Sequence, residues 1–160
     1  MSEKPVIILD MDETLLHTSD ASVEPWSSGL IVTPRPGLAK FIQTVNLMGE
    51  VWVLSAGSPD YVPEALTVVD LHRRIEGWMS SQRWNPIKTQ IIRGRPWVLV
   101  DDRSARSALT RVKLHQCGGN GDHSGHLIQV EPFSGDMRDR VLDGLPGLIG
   151  LNLGMQRAKR

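Results

Sequence analysis

Three short apolar runs, each ended by a polar residue, constrain the fold more than any other feature of the sequence. Each run consists of four aliphatic residues or tryptophans, which is typical of a fully buried strand. The runs occupy residues 6–9, 51–54 and 97–100, and the residues that follow them are Asp10, Ser55 and Asp101. A fourth and weaker run occupies residues 127–130.

The segments between these runs carry the apolar periodicity of helices. After the first run, Pro36 suits a first helical position and Gly49 suits a helix stop. The apolar stripe between them comprises Leu38, Phe41, Ile42, Val45 and Met48. Similar patterns predict helices that begin near residue 59 and that span about residues 104–114 and 135–145. Buried strands that alternate with amphipathic helices predict an α/β fold with a central parallel sheet.

The polar residues that end the runs point to a shared site. In a parallel α/β sheet, ligands bind outside the carboxyl ends of the strands. That rule places Asp10, Ser55 and Asp101 at one edge of the sheet, although they lie far apart in the sequence. The strand pattern therefore predicts a polar site that is assembled from separate segments of the chain.

Length and cysteine content bound the domain organisation and the compartment. The chain has 160 residues, and we expect one domain over residues 1–154 with a flexible tail at residues 155–160. Cys117 is the only cysteine, so no intrachain disulfide can form and a reducing compartment is favoured. No apolar run is long enough to span a membrane, and the N-terminus has no signal-peptide pattern. These features predict a cytoplasmic protein with no membrane partner.

Charge is balanced over the whole chain but not along it. Residues 1–72 hold ten Asp or Glu against three Lys or Arg, whereas residues 73–111 hold nine Lys or Arg against three Asp or Glu. Arginine suits bidentate contact with phosphate, so the middle segment either attracts an anionic partner or forms a solvated basic face. The arginines considered for an approach to the site are Arg73, Arg74, Arg83, Arg93 and Arg95.

Two carboxylates follow the first strand with one residue between them. Asp10 and Asp12 meet at one point if the chain turns there, and their oxygens are ligands that a hard divalent cation such as Mg²⁺ prefers. The alternative is that one aspartate caps the turn and the other is merely solvated. The pair alone does not decide between these two interpretations.

The residues around this pair resemble a known family. Asp10-Met11-Asp12-Glu13-Thr14 after a buried strand resembles the first motif of the haloacid-dehalogenase (HAD) superfamily. With Glu13 in place of the glycine of many members, the longer run 9–17 is similar to a narrower branch. That branch contains the RNA polymerase II C-terminal-domain (CTD) phosphatases and the related NLI-interacting-factor-like small phosphatases. Later segments resemble its other motifs, namely residues 35–38, 53–58, 98–104 and 133–135.

The resemblance covers nearly the whole chain and implies a mechanism. It implies a HAD-like three-layer α/β sandwich and a phosphatase in which Asp10 is the nucleophile that forms an aspartyl-phosphate. Asp12 would serve as general acid and then general base. Mg²⁺ would bind Asp10, the backbone carbonyl of Asp12 and an acidic residue of the pair Asp101 and Asp102, with Asp102 matching the ligand position. The implied phosphoryl-binding groups are the Ser55 hydroxyl, the amides of Ala56 and Gly57, and Lys88.

Two residues and one spacing depart from the pattern of that branch. Ser55 stands where threonine is usual, but it keeps the hydroxyl group. Asp102 stands where asparagine is common and adds a negative charge, which the following Arg103 can compensate. The spacing from Lys88 to Asp101 is shorter than the branch usually has.

Substrate size is suggested by the lengths of the insertions. Residues 15–33 leave room for a small flap and little more, and so we expect an open site with no large cap domain. Such a site admits a phosphorylated protein segment. The alternatives are a nucleic-acid end, a small phosphate ester, or a non-catalytic binding module on the same fold.

Residues 115–126 contain side chains that could bind zinc. These are His115, Cys117, His123 and His126, but their spacing matches no standard zinc motif. The glycines among them are typical of a loop. A loop is therefore the preferred interpretation of residues 116–126.

Overall fold

The computed structural model describes residues 4–20, 30–80, 92, 94–103 and 127–158. Ten elements occur in these ranges. In chain order they are β1 (Val6–Asp10), β2 (Leu16–Asp20), β3 (Leu30–Pro34), α1 (Leu38–Asn46), β4 (Glu50–Ser55), α2 (Tyr61–Val68), β5 (Gly77–Ser80), β6 (Trp97–Asp101), β7 (Leu127–Gln129) and α3 (Val141–Ala158).

Five of the strands form one parallel sheet with the order β5-β4-β1-β6-β7. The central strand is β1, in which all five residues are buried. Its aliphatic residues fill both faces of the sheet, because successive side chains of a strand point to opposite sides. The sequence prediction of an α/β fold with a central parallel sheet is confirmed.

The two faces of the sheet bury different residues. Ile7 and Leu9 belong to a large core that includes residues of α1, α2 and α3. Val6 and Ile8 belong to a second core with Trp97. Burial on both faces explains why the strands are continuous apolar runs instead of alternating apolar and polar residues.

A small antiparallel sheet lies between β1 and α1. Strand β2 pairs with β3, and Leu16 opposes Pro34 at the end nearest the main sheet. This hairpin occupies the segment in which the sequence predicted a flap. Residues 21–29, between the two strands, lie outside the described residues.

The helix bounds differ from the predicted ones in an informative way. Helix α3 begins at Val141, later than predicted, and continues to Ala158 through Pro146 and through residues 155–158, which the sequence assigned to the tail. The side chain of Asp139 explains the late start, since its Oδ1 accepts a hydrogen bond of 3.0 Å from the Val141 amide. Such a contact satisfies an amide of the first turn of a helix. Residues 104–114, predicted as a helix, lie outside the described residues.

We expect alanine to have opposite effects at two glycines. A Cβ at Gly49 would lie 2.4 Å from the carbonyl oxygen of Pro5, whereas a Cβ at Gly147 in α3 meets nothing within 4 Å. Gly49→Ala is therefore expected to lower the free energy of unfolding by about 1–3 kcal/mol. Gly147→Ala should raise it by about 0.5–1 kcal/mol, because alanine has the better helix propensity. Urea unfolding of both variants measures the two effects, and equal changes would contradict the packing described for Gly49.

Among the helices that the structure describes, none is both long enough and apolar enough to cross a bilayer.

Candidate active site

The carboxyl edge of the main sheet brings three aspartates together. Asp10 ends β1, Asp101 ends the neighbouring β6, and Asp102 follows it. One oxygen from each of the three lies within 4.8 Å of the other two. Asp10 and Asp101 are buried, at 4% and 0% exposure, and Asp102 is half-buried. The parallel strand order thus brings together Asp10 and Asp101, as the strand-end rule predicted, and Asp102 joins them as the residue after Asp101.

Hydrogen bonds from the chain orient this cluster. The Thr14 hydroxyl lies 3.1 Å from Asp10 Oδ2 and 3.3 Å from Asp102 Oδ1, so it bridges the two carboxylates. The Arg103 amide donates to Asp101 Oδ1 at 2.9 Å. Thr14 is itself fully buried, which leaves its hydroxyl little rotational freedom. The three carboxylates are therefore held in place by groups from the loops that follow β1 and β6.

A tight turn after β1 returns the chain to the site. Glu13 has the left-handed backbone angle φ of 60°, which non-glycine residues seldom adopt. Its amide donates to the Leu16 carbonyl at 2.8 Å, and its carbonyl accepts from the Phe133 amide at 2.7 Å. This strained turn is held from both sides, and strain of this kind is concentrated at functional sites.

Asp12 follows Asp10 by two residues and has hydroxyl partners on both of its oxygens. The Tyr61 hydroxyl donates to Oδ1 at 2.5 Å, and Ser55 Oγ lies 3.4 Å from Oδ2. Ser55 Oγ in turn accepts from the Gly57 amide at 3.0 Å. Asp12 and Ser55 are thus adjacent although 42 residues separate them, because β1 and β4 are neighbouring strands.

The buried Arg35 connects the turn after β1 to the segment before α3. It is only 1% exposed, and its guanidinium donates to both carboxylate oxygens of Asp139 at 2.9 and 2.8 Å. It also donates to the carbonyls of Thr14 at 3.1 Å and Glu131 at 2.8 Å, and it lies over the Phe133 ring. The hydrogen bonds from Arg35 hold the pKa of Asp139 below its usual value. This network ties the turn after β1 to the segment that precedes α3.

Most of the site residues predicted from the sequence fall in one place. Asp10, Asp101 and Asp102 form the cluster, while Asp12 and Ser55 contact each other after the neighbouring strand ends of β1 and β4. The half-buried Ala56 and Gly57 follow β4 in the adjoining loop. In this structure the Gly57 amide donates its hydrogen bond to Ser55 Oγ. Two predictions lie outside the described residues, namely Lys88 and the loop with His115, Cys117, His123 and His126.

Three arginines expected near the approach to the site are elsewhere. Arg73 and Arg74 line a cleft of about 660 Å³ together with Lys4 and Gly49, at the edge where β1 and β4 begin. Arg95 donates to the Lys4 carbonyl at that same edge. The prediction is wrong for these three because each precedes a strand of the parallel sheet, and only residues that follow a strand reach the carboxyl edge. Arg83 and Arg93 lie outside the described residues.

Sequence reasoning assigned no site role to Thr14, Tyr61, Arg35 or Asp139. Thr14 and Arg35 lie in segments that resemble the family motifs, but the partners of all four residues could not be identified from pattern alone. Tyr61 illustrates the reason, since its partner Asp12 is 49 positions away. A buried arginine such as Arg35 also looks like any surface arginine in a hydropathy pattern.

The donor set of the aspartate cluster suits Mg²⁺. Three carboxylates offer only oxygen ligands, which a hard cation prefers, and Asp102 is exposed enough to leave room for the waters that Mg²⁺ retains. Three like charges this close repel one another, so a bound cation would stabilise the folded site.

A parallel α/β sheet with a carboxylate cluster at its carboxyl edge defines the class as HAD-like. In agreement, a haloacid-dehalogenase-like hydrolase from Xanthomonas campestris has a similar structure, with a TM-score of 0.64, 11% identity and full coverage of both chains. The particular family follows from the sequence match: the chain belongs to the NLI interacting factor-like phosphatase family, which matches residues 5–156. The predicted relationship, and the enzyme class of that family, are thereby confirmed.

Two relatives illustrate how the chain compares within this group. Phosphatase PSR1 of Saccharomyces cerevisiae is 26% identical over 94% of this chain. The structure of the fission yeast RNA polymerase II CTD phosphatase Fcp1, bound to beryllium fluoride, has a TM-score of 0.52 and 17% identity and covers 98% of this chain. The chain spans only 37% of the length of PSR1 and 52% of the Fcp1 chain. The likeness to Fcp1 therefore concerns the fold alone.

Proposed function

We propose that this chain is a Mg²⁺-dependent phosphatase that hydrolyses phosphate monoesters through an aspartyl-phosphate at Asp10. The observation that carries the proposal is the position of Asp10: it ends the central strand, within 4.8 Å of Asp101 and Asp102, in a chain of a phosphatase family. Mg²⁺ held by Asp10, Asp102 and the Asp12 carbonyl, with Asp101 in support, would offset the repulsion between the nucleophile and the phosphate.

The chemistry consists of two displacements at phosphorus. In the first, an Asp10 oxygen forms a bond to phosphorus while the bond to the leaving oxygen breaks, and Asp12 gives that oxygen a proton. In the second, water attacks phosphorus, Asp12 accepts the proton, and the bond to Asp10 breaks. Asp12 suits both steps because it lies beside the nucleophile on the same turn, with Ser55 3.4 Å from its Oδ2.

Binding of the phosphoryl group falls to residues at the end of β4. The Ser55 hydroxyl and the amides of Ala56 and Gly57 donate to phosphoryl oxygens, and Lys88 supplies a positive charge. Ser55 Oγ is fully buried and already contacts Asp12, so a phosphate bound there would lie beside the general acid. Binding a phosphate would require the Gly57 amide to exchange its contact with Ser55 Oγ for a phosphoryl oxygen.

The substrate class we propose is a phosphorylated protein segment in the cytoplasm. Fcp1, the fission yeast protein whose fold is similar, is an RNA polymerase II CTD phosphatase, and this likeness favours a protein substrate. Between β1 and α1 the described residues form only the hairpin β2–β3, with five residues in each strand, and a hairpin of this size favours an open site over a capped one. We assign this activity to one domain spanning residues 1–154.

Three substrates test the proposal in one experiment. We expect turnover of p-nitrophenyl phosphate to require Mg²⁺ and to cease in excess chelator, and Mg²⁺ alone to raise the unfolding temperature.

We expect kcat/KM to be highest for a phosphoserine peptide and lower for a 5′-phosphorylated oligonucleotide. A preference for the oligonucleotide that weakens steeply with salt would indicate a nucleic-acid substrate instead. Absence of turnover with any divalent cation in folded protein would contradict catalysis and favour a binding module.

A further inference from the structure

The first residue of α2 reaches back across the site to Asp12. The Tyr61 hydroxyl donates a hydrogen bond of 2.5 Å to Asp12 Oδ1. Burial, and secondarily the bond to Asp12, raise the pKa of Tyr61 well above its ordinary value. In the structure the hydroxyl is the donor and Asp12 Oδ1 is the acceptor.

The backbone beneath the tyrosine is shaped to receive its ring. A Cβ at Gly57 would lie 2.6 Å from Tyr61 Cδ1 and 3.2 Å from Ser55 Oγ. Because Gly57 has no side chain, the Tyr61 ring can pack directly against the loop after β4. Tyr61 is also held by its amide, which donates to Ser58 Oγ at 3.2 Å. The hydroxyl is placed by backbone packing as well as by its own hydrogen bond.

The two oxygens of Asp12 are consequently different. Oδ1 accepts a short hydrogen bond of 2.5 Å from Tyr61, whereas Oδ2 accepts only a long one of 3.4 Å from Ser55 at the end of β4. An oxygen that accepts a short hydrogen bond has less remaining capacity to carry a carboxyl proton, so Oδ2 is the oxygen better suited to hold one. That oxygen is the one directed toward the residue to which we assign phosphate binding.

We propose that Tyr61 is a positioning residue that selects Oδ2 of Asp12 as the proton-donating oxygen and directs it at the leaving group. This inference rests on the proposed function of the site. Tyr61 itself neither attacks phosphorus nor gives up its proton. Tyr61 therefore affects the rate of hydrolysis only for substrates whose leaving oxygen needs a proton in the transition state.

Leaving-group dependence provides the test. Nitrophenolate leaves readily without a proton, whereas phenolate departs much less readily. Tyr61→Phe should therefore lower kcat for phenyl phosphate by about tenfold or more, and for p-nitrophenyl phosphate by no more than about threefold, with KM little changed. Thr67→Val, which removes an exposed hydroxyl from the same helix, is the matched control and should change neither rate.

A double-mutant cycle separates positioning from other roles of Tyr61. In the Asp12→Asn background, Tyr61→Phe should cause no further loss with phenyl phosphate, because the group that it positions is already disabled. Equal losses with both substrates, a rise in KM alone, or additive losses in the cycle would each overturn the proposal. If the unsubstituted protein hydrolyses neither ester, the proposed function fails first, and the role of Tyr61 fails with it.

Discussion

Asp10→Asn is expected to lower kcat/KM for p-nitrophenyl phosphate by at least about 10⁴-fold, because an amide oxygen is a far weaker nucleophile than a carboxylate. Asparagine keeps the shape and the hydrogen-bonding capacity of the side chain, so Thr14 retains its contact. The variant should therefore fold normally. Steady-state kinetics beside far-UV circular dichroism measure both properties.

The same substitution should have an unusual effect on stability. It removes one of three carboxylates that lie within 4.8 Å of one another, so in chelator the variant should unfold at a temperature no lower than that of the unsubstituted protein. The increase produced by Mg²⁺ should be smaller in the variant, because one ligand has lost its charge. Asp143→Asn, an exposed aspartate at the start of α3, is the control and should change neither activity nor the Mg²⁺ response. Full activity in Asp10→Asn would rule out Asp10 as the nucleophile.

Arg35→Met is expected to lower the free energy of unfolding by about 3–5 kcal/mol, which is the usual effect of removing one partner of a buried ion pair. The substitution retains the apolar bulk of the side chain but leaves Asp139 as an unpaired charge at 14% exposure. It also leaves the carbonyls of Thr14 and Glu131 without their guanidinium donor. Urea unfolding at neutral pH measures the effect.

A second arginine–aspartate pair provides the control for this prediction. Arg138 pairs with Asp136, but its side chain is 91% exposed, and so Arg138→Met should change stability by less than about 0.5 kcal/mol. A loss as small for Arg35→Met would contradict the buried network.

The pH dependence of the Arg35→Met effect has a definite sign. Arg35 lowers the folded-state pKa of Asp139, so the pair contributes fully above the unfolded-state pKa of aspartate. That contribution is lost as the pH falls below about 4 and passes through the lower folded-state value. The difference in unfolding free energy between the two proteins should therefore shrink in acid. A difference that stays constant from neutral pH to pH 3 would show that the carboxylate is not the partner that matters.

The elements that sequence analysis could predict are those with a strong local signal. Strands β1, β4 and β6 were predicted because both faces of the sheet are buried, which makes each strand a continuous apolar run. Strand β5 was not located, because Gly77-Trp78-Met79-Ser80 is short and has no β-branched residue. Gly77 is tolerated in a strand there because the Trp52 ring packs against it, with 2.5 Å from a built Cβ to Cζ3. No local pattern reports such a contact.

The start of α3 was missed for a similar reason. Apolar spacing from residue 135 onward suggested an earlier helix, but Asp139 is bonded to Arg35, 104 positions before it, and also accepts from the Val141 amide. A distant ion pair therefore decides where this helix begins. Local propensity cannot anticipate a boundary of this kind.

By itself, the order of residues along the chain determined which polar groups reach the carboxyl edge of the sheet. Buried runs that end at Asp10, Ser55 and Asp101 suffice, because parallel strands bring their carboxyl ends to one side. Only the tertiary structure decided how those groups are oriented. Thr14 between two carboxylates, Tyr61 on Asp12, and Arg35 on Asp139 are contacts whose geometry is set only in the folded chain. The place of these groups at the edge follows from the apolar runs that they end, whereas the angle and partner of each hydrogen bond depend on distances that no sequence pattern encodes.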